Sequence, residues 1–275
     1  MDIEEQQVAV ITGAASGIGL ALVEVCAARK IRFVAADISL PRLESLSHDL
    51  LQRDIDHQIM VCDVSDPSQV KALADLAYSH YGRVNLLFNN AGIMINGLSW
   101  ECGVAQWQTV MNVNFMGAVF GIHEFVPRML AQASPAHIVN TSSLAGLLSS
   151  PMMGPYSASK HALVSLSETL LYDLQSQGAD IGVSVLCPAQ VASNIMDLID
   201  ADDNVLHKAG QLNDFLRDGI RDGMQPCDVA ELVFDAIERG AFWIFTHPDF
   251  KSAYISKAQS MVNERNPCFE QVICD

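Results

Sequence analysis

The chain is short of positive charge: 16 Lys plus Arg stand against 32 Asp plus Glu, a formal net charge of −16. Such a field repels phosphate backbones and anionic headgroups, which excludes nucleic acid and membrane surfaces as expected partners. Charge of either sign is scarce, 17% of residues against 50% hydrophobic, so the chain must bury much apolar surface and intrinsic disorder is excluded. Long apolar runs are missing too. Stretches such as 8–12 and 33–36 fall well below the roughly 20 residues that a membrane-spanning helix needs. No Cys-x-x-Cys pair occurs among the seven cysteines, Cys26, Cys62, Cys102, Cys187, Cys227, Cys268 and Cys274. Their scatter and odd number point to reduced, mostly core residues, with no metal site. The opening residues MDIEEQQ are acidic where a secretory leader would be basic, which implies a cytoplasmic protein.

What the chain does have is a regular alternation. Short β-branched runs at 8–12, 32–36, 58–62, 86–89, 137–140, 181–186 and 241–245 are separated by longer stretches of helical period. Ile18, Leu22, Val25 and Cys26 share one helix face, and so do Val70, Leu73, Ala74 and Ala77. Strand alternating with helix implies right-handed crossovers and an α/β, doubly wound parallel sheet of about seven strands, a Rossmann fold with helices on both faces. Residues 1–275 read as a single domain without linker, low-complexity tract or internal repeat. Residues 193–225 break the rhythm, with Met196, Leu198, Ile199, Val205, Leu206, Leu212, Phe215, Leu216 and Met224 set among acidic residues. This predicts a helical insertion at a strand's C-terminal end, where open sheets bind ligands, and so a lid; the bland reading is a surface helix pair closing the core. The tail over 246–275 carries Phe250, Tyr254, Ile255 and Met261 at helix-like spacing, which leaves it to cover the pocket, extend an interface or both.

The run 8–12 leads into Gly13-Ala14-Ala15-Ser16-Gly17-Ile18-Gly19 and then a helix. Glycines in that setting let the backbone approach a pyrophosphate whose charge rests at the helix N-terminus. Asp37 follows the second run, where the dinucleotide fingerprint places an acid that binds the adenosine ribose hydroxyls. Its carboxylate repels a 2′-phosphate, and neither Ile38 nor the loop residues Ala14, Ala15 and Ser16 compensate, so NAD is favoured over NADP. The alternative for Asp37 is a turn or cap carboxylate ahead of a helix over 39–53, in which Arg42 is read as solvated. Tyr156 and Lys160, four apart on a helix over 155–176, share one face, which sets an ammonium beside a phenol. Lys160, helped by a positive nicotinamide, is therefore expected to lower the tyrosine pKa from about 10 and make Tyr156 a general acid and base. His161 points about 100° away around that helix and is read as a packing or surface residue.

These motifs, in this order over about 8–245, make the chain resemble the short-chain dehydrogenase/reductase family in its single-domain branch. TGAASGIG at 12–19 is similar to that family's nucleotide loop, Asp63 and Val64 to its adenine-contacting pair, and Asn89, Asn90, Ala91 and Gly92 to the turn beside its cofactor. Asn114 is similar to its catalytic-helix asparagine, and Ser143 and Lys160 around Tyr156 to its serine and lysine. The resemblance implies that Ser143 donates a hydrogen bond to the reacting oxygen while Ser142 is structural. It also implies that Lys160 reaches the nicotinamide ribose and that Asn114 holds a water chain from Lys160 to solvent. Pro188, Val191 and Ser193 are expected beside the nicotinamide carboxamide, although Ala189 and Ser193 stand where the family has Gly and Thr.

Positions matching the family's substrate wall, Met94, Ile95, Leu144, Leu148, Met152 and Met153, are apolar, so an apolar secondary alcohol or ketone is the expected small-molecule partner. With no basic residue among them, carboxylate, phosphate and coenzyme-A substrates are disfavoured, Lys208, Arg217 and Arg221 in the lid being the exception. Residues 106–128 and 163–174 resemble the family's dimer-forming helices, which implies a homodimer or homotetramer. Two rivals are a catalytically silent dinucleotide sensor, which would have lost Ser, Tyr or Lys, and a nucleotide-sugar epimerase or dehydratase, which typically carries more chain after Phe245.

Overall fold

The structure, a computed structural model, describes residues 1–132, 134–193, 195, 210–267 and 269. Its centre is a seven-stranded sheet of β1 (Val8–Thr12), β2 (Arg32–Asp37), β3 (His57–Val61), β4 (Leu86–Asn89), β5 (Ala136–Thr141), β6 (Ile181–Cys187) and β7 (Trp243–Phe245). The order is β3-β2-β1-β4-β5-β6-β7 and every pairing is parallel. Strand order reverses between β1 and β4, so the crevice at their C-terminal ends is where ligands bind in sheets of this kind.

A sheet covered on both faces needs strands that are apolar throughout, and all five residues of β1 are buried. Ala9, Ile11, Phe33 and Ala35 point to one face, against α1 (Gly17–Ala28), α2 (Leu40–Gln52) and α8 (Pro226–Glu238). Val8, Val10 and Val34 point to the other, against α3 (Pro67–Tyr81), α5 (Gly117–Gln132) and α6 (Gly154–Ser176). Between α4 (Val104–Met111) and α5 the helix widens to a π-turn over Asn112–Met116.

The bounds of β1 and β4 are as expected, β2, β5 and β6 run one residue further at one or both ends, and β3 and β7 shift more tellingly. β3 starts one residue early, at His57, whose ring is held by Ile55 O at 2.8 Å and Ser47 Oγ at 2.8 Å. β7 is cut to Trp243–Phe245 because the chain is still leaving α8 at Gly240, where φ is +64°, and Ala241 N bonds back to Ala236 O at 2.9 Å. Of the cysteines, Cys26, Cys62 and Cys187 are buried, Cys102 is half-buried and Cys227 is exposed; all five are free thiols. Cys268 and Cys274 lie outside the described residues. Among the described residues no helix is long and apolar enough to cross a membrane.

The expected insertion contains a helix, α7 (Gly210–Arg221). Its two ends are zipped together: Ala192 N bonds Met224 O at 3.0 Å and Met224 N bonds Gln190 O at 3.1 Å. Met196, Leu198, Ile199, Val205, Leu206 and Lys208, and the side chains of Leu212 and Phe215, lie outside the described residues. A last helix, α9 (Lys251–Val262), buries none of its residues.

Phe234 on α8 locks α1 against the sheet: it is fully buried, 5.8 Å from the Phe88 ring, with the Arg29 guanidinium 4.8 Å above its centroid. Phe234→Ala is expected to cost about 3–5 kcal/mol, read as a fall in the urea midpoint at constant slope.

Candidate active site

The turn from β1 to α1 is built to let main chain approach main chain. Gly13 and Gly17 have φ of +63° and +51°, in the left-handed region that side chains avoid. A Cβ on Gly13 would stand 2.9 Å from Ala91 Cα, and one on Gly19 would run into the Gly13 carbonyl oxygen. Thr12 Oγ1 ties this turn to the one after β4, accepting from Asn90 N at 3.0 Å and Ala91 N at 3.1 Å, while Asn90 Nδ2 donates to Thr12 O at 3.1 Å. Ser16, at the N-cap of α1, spends no side-chain bond on capping, so its hydroxyl and the first amides of α1 face the cleft.

Both oxygens of Asp37 accept from main-chain amides. Oδ1 accepts from Ser39 N at 3.0 Å, as a turn carboxylate does, and Oδ2 accepts from Ala15 N at 3.0 Å, clamping the glycine loop to the end of β2. Beside it, Ile38 is 69% exposed and borders the cleft with Asp63, Val64 and Arg42. Asp63 Oδ1 accepts from Ser65 N at 2.9 Å and Ser65 Oγ at 2.7 Å, which leaves its second oxygen without a protein donor among the described residues.

Ser143, Tyr156 and Lys160 meet at the C-terminal ends of β5 and β6. Lys160 is 2% exposed and donates to Thr141 O at 2.8 Å; its amine lies 5.7 Å from the centroid of the Tyr156 ring. Burial lowers the Lys160 pKa from 10.5 to about 8. Tyr156 departs from the expectation. Burial raises its pKa above 10, opposed by a hydrogen bond with the Ser143 hydroxyl, so the protein's own groups leave the phenol protonated. Ser142 turns inward and donates to Lys160 O at 2.9 Å, while the neighbouring Ser143 borders the cleft. His161 turns back to its own helix, 2.9 Å from Ser157 O.

Most of the expected residues line one cleft of about 2040 Å³: Gly13, Ser16, Gly17, Ile18, Asp37, Ile38, Asp63, Val64, Asn90, Ala91, Gly92, Ser143, Tyr156, Lys160, Pro188, Val191 and Ser193. Gly19 and Asn114 do not reach it. Gly19 packs beneath the loop. Asn114 hangs from the π-turn, accepting from Ile93 N at 2.8 Å and donating to Ile93 O at 2.9 Å and Ser159 Oγ at 3.0 Å. Gly92 is the spacer here, since a Cβ on it would lie 3.3 Å from Lys160 Nζ and 3.4 Å from Asn114 Oδ1. Ala189 is accommodated: its amide donates to Thr246 Oγ1 at 3.1 Å, while Pro188 O accepts from Leu144 N at 2.9 Å.

Over Tyr156 lies an apolar wall in which Met94, Ala145 and Met153 pack with Ile195, Leu216 and Ile220, the last two from α7. Two contributors escaped the sequence reading. Thr12 acts through bonds to β4 and the turn after it and Thr141 through its bond from Lys160 on α6, partners distant in the chain for which sequence offers no signal. The α9 region, with Lys257 and Arg265, borders the same cleft, the pocket-covering alternative for the tail.

The family model for short chain dehydrogenase matches residues 7–204. A solved short-chain dehydrogenase/reductase from Burkholderia phymatum, in complex with NAD, is similar with a TM-score of 0.95 and 39% identity, over 99% of this chain and 100% of that one. The CLA biosynthesis dehydrogenase/reductase of Lactiplantibacillus plantarum is 31% identical over 279 residues, 96% of each chain. A C alpha-dehydrogenase of a Sphingobium species is 30% identical over 269 residues, covering 96% of this chain and 88% of its own.

The buried amine makes stability depend on pH. With a folded pKa of about 8 against 10.5 for an exposed lysine, the unfolded chain binds more protons between those values, so the folded state gains as pH rises through that window. Lys160→Met removes the effect. In urea unfolding, wild type is expected to gain on Lys160→Met from about pH 8 to about pH 10. A difference that stays flat with pH would mean the amine is not depressed.

Proposed function

The chain belongs to the short-chain dehydrogenase/reductase family, and from that premise we propose that it is an NAD-dependent enzyme interconverting an apolar secondary alcohol and its ketone. The observation that carries this reading is the convergence of Ser143, Tyr156 and Lys160 in the cleft that also holds the glycine turn and Asp37. The residues present fit a dinucleotide. Gly13 and Gly17, whose left-handed backbone and close approach to Ala91 and Ser193 leave no room for a side chain, border the cleft with Ser16 and the start of α1, where a pyrophosphate would meet the helix N-terminus. Asp37 takes the adenosine ribose hydroxyls and opposes a 2′-phosphate, and the exposed face of Ile38, with Val64 opposite, suits an adenine ring. Asn90, Ala91 and Gly92 on one side and Pro188, Val191 and Ser193 on the other suit the nicotinamide half. When bound, NAD supplies the two-electron hydride acceptor and a positive ring.

The chain's own groups handle the proton. Ser143 turns its hydroxyl toward the substrate oxygen and stabilises charge that develops there. Tyr156 takes the alcohol proton in oxidation and returns it in reduction. Its burial holds the phenol protonated, so the positive charge of Lys160 together with that of the cofactor is needed to make it a base. Lys160 uses one N–H on Thr141 O and keeps others for the ribose. Asn114 Oδ1 and Lys160 Nζ flank the same spot beside Gly92, which supports a water relay from the amine. α7, resting on Met94, Met153 and Tyr156, acts as the lid. A relative named 1-deoxy-11-beta-hydroxypentalenate dehydrogenase supports a hydroxyl-bearing carbon as the reacting centre. Exposed Leu130 on α5 and Tyr172 on α6 support self-association into a homodimer or homotetramer through those helices.

Tyr156→Phe is expected to bind NAD as wild type does, by fluorescence titration, while kcat with a panel of apolar secondary alcohols falls by about 10²–10⁴-fold. Near-wild-type turnover would remove the tyrosine from the reaction. Asp37→Ala is expected to weaken NAD binding by about tenfold and narrow its advantage over NADP, since a charge-assisted bond to the ribose is lost. Unchanged affinity for both would rule out the ribose contact.

A further inference from the structure

Beyond Leu148 the cleft is walled by α9 and the residues after it, with Lys257 and Arg265 on its border. We propose that this end binds a carboxylate, so that the substrate is an apolar secondary alcohol or ketone carrying a carboxylic acid at its far end. In a chain of net charge −16, most cations are consumed by neighbouring acids, as are Arg29, Lys30, Arg53, Lys71 and Arg128. Lys257 and Arg265 pair with no carboxylate among the described residues. Lys257 Nζ donates one hydrogen to Leu147 O at 2.5 Å, which fixes the ammonium against the segment that follows Ser143 and leaves two donors for a ligand. The Arg265 fork makes no side-chain hydrogen bond among the described residues.

The surroundings match an amphiphile. Leu148, Phe250, Met261 and Phe269 border the same end, and Met261 and Phe269 are 69% and 46% exposed, apolar surface that a ligand's chain would cover. Asp249 also borders it, and the His247 ring is 2.7 Å from Thr246 Oγ1. Lys257 and Arg265 outnumber Asp249 among the charged residues of 247–269 that border the cleft, a small positive excess that suits a carboxylate monoanion better than a phosphate dianion.

The binding step is independent of turnover and the substrate class rests on the reaction proposed above, so both are measured. In calorimetric titration of the NAD-loaded enzyme, decanoate is expected to bind about tenfold more tightly than decanol. Lys257→Gln and Arg265→Gln should each reduce that advantage and Lys257→Arg should keep it. Arg265→Gln breaks no internal bond, and an unchanged NAD titration verifies that each variant folds. Equal affinity for decanoate and decanol in wild type, or an advantage that both glutamine variants retain, overturns the proposal. Turnover is then compared for ricinoleic acid and its methyl ester. Turnover of neutral secondary alcohols without any decanoate advantage removes the carboxylate site and leaves the reaction standing. A decanoate advantage lost in the variants, with no alcohol or ketone turned over, keeps the site and overturns the reaction.

Discussion

A protonated amine removed from water loses its hydration, and it is tolerated inside a protein only where fixed dipoles replace that hydration. Lys160 is such an amine, and the surrounding elements are arranged about it. The carbonyl of Thr141 at the end of β5 accepts from its Nζ, and the hydroxyl of Ser142 holds its main-chain oxygen. Gly92 stands back to leave it room, and Asn114, suspended from a π-turn, occupies the far side of that same space. The depressed amine pKa is the measure of the tension that this burial stores. An anionic neighbour would relieve it, and the phenol of Tyr156 is the group placed to become one.

The second constraint is steric. Parallel strands converge at the switch between β1 and β4, and the turns that follow them must pass within van der Waals contact. Glycine at 13 and 19 makes that approach possible, and Thr12 and Asn90 stitch the turns together so that the amides at the start of α1 stay aimed at the cleft. Asp37 completes the frame from the other side by holding Ala15 N. The cradle is therefore rigid before any ligand arrives, which limits the ordering cost of binding.

Charge is distributed unevenly along the cleft. Its middle is apolar, walled by methionines and by α7 over Tyr156, and a low dielectric there strengthens each interaction with the reacting oxygen. The end bordered by α9 is different, with Lys257 and Arg265 paired to no carboxylate among the described residues of a strongly acidic chain. Recognition of a substrate's remote end is one way an enzyme positions a reacting centre that itself offers few handles.

Much of this was legible before any coordinates. Seven β-branched runs alternating with stretches of helical period foretold a parallel sheet, because parallel neighbours need a crossover between them; Gly13, Gly17 and Gly19, Asp37, and the Tyr156 and Lys160 pair follow from local spacing on a turn, a strand end and one helix face. What local pattern does not encode is distance across the fold. The phenol's raised pKa depends on how deeply α6 packs, and the inward turn of Ser142 on a bond to a residue eighteen positions away. The role of Thr12 depends on a strand 76 residues on. The tail is the clearest case: its helical spacing was readable and left covering the pocket and extending an interface both open, but the bond by which Lys257 reaches Leu147 across 110 residues was not. Periodicity is set by backbone geometry and can be read one residue after another, whereas the electrostatics of a site arise from groups that only packing brings together.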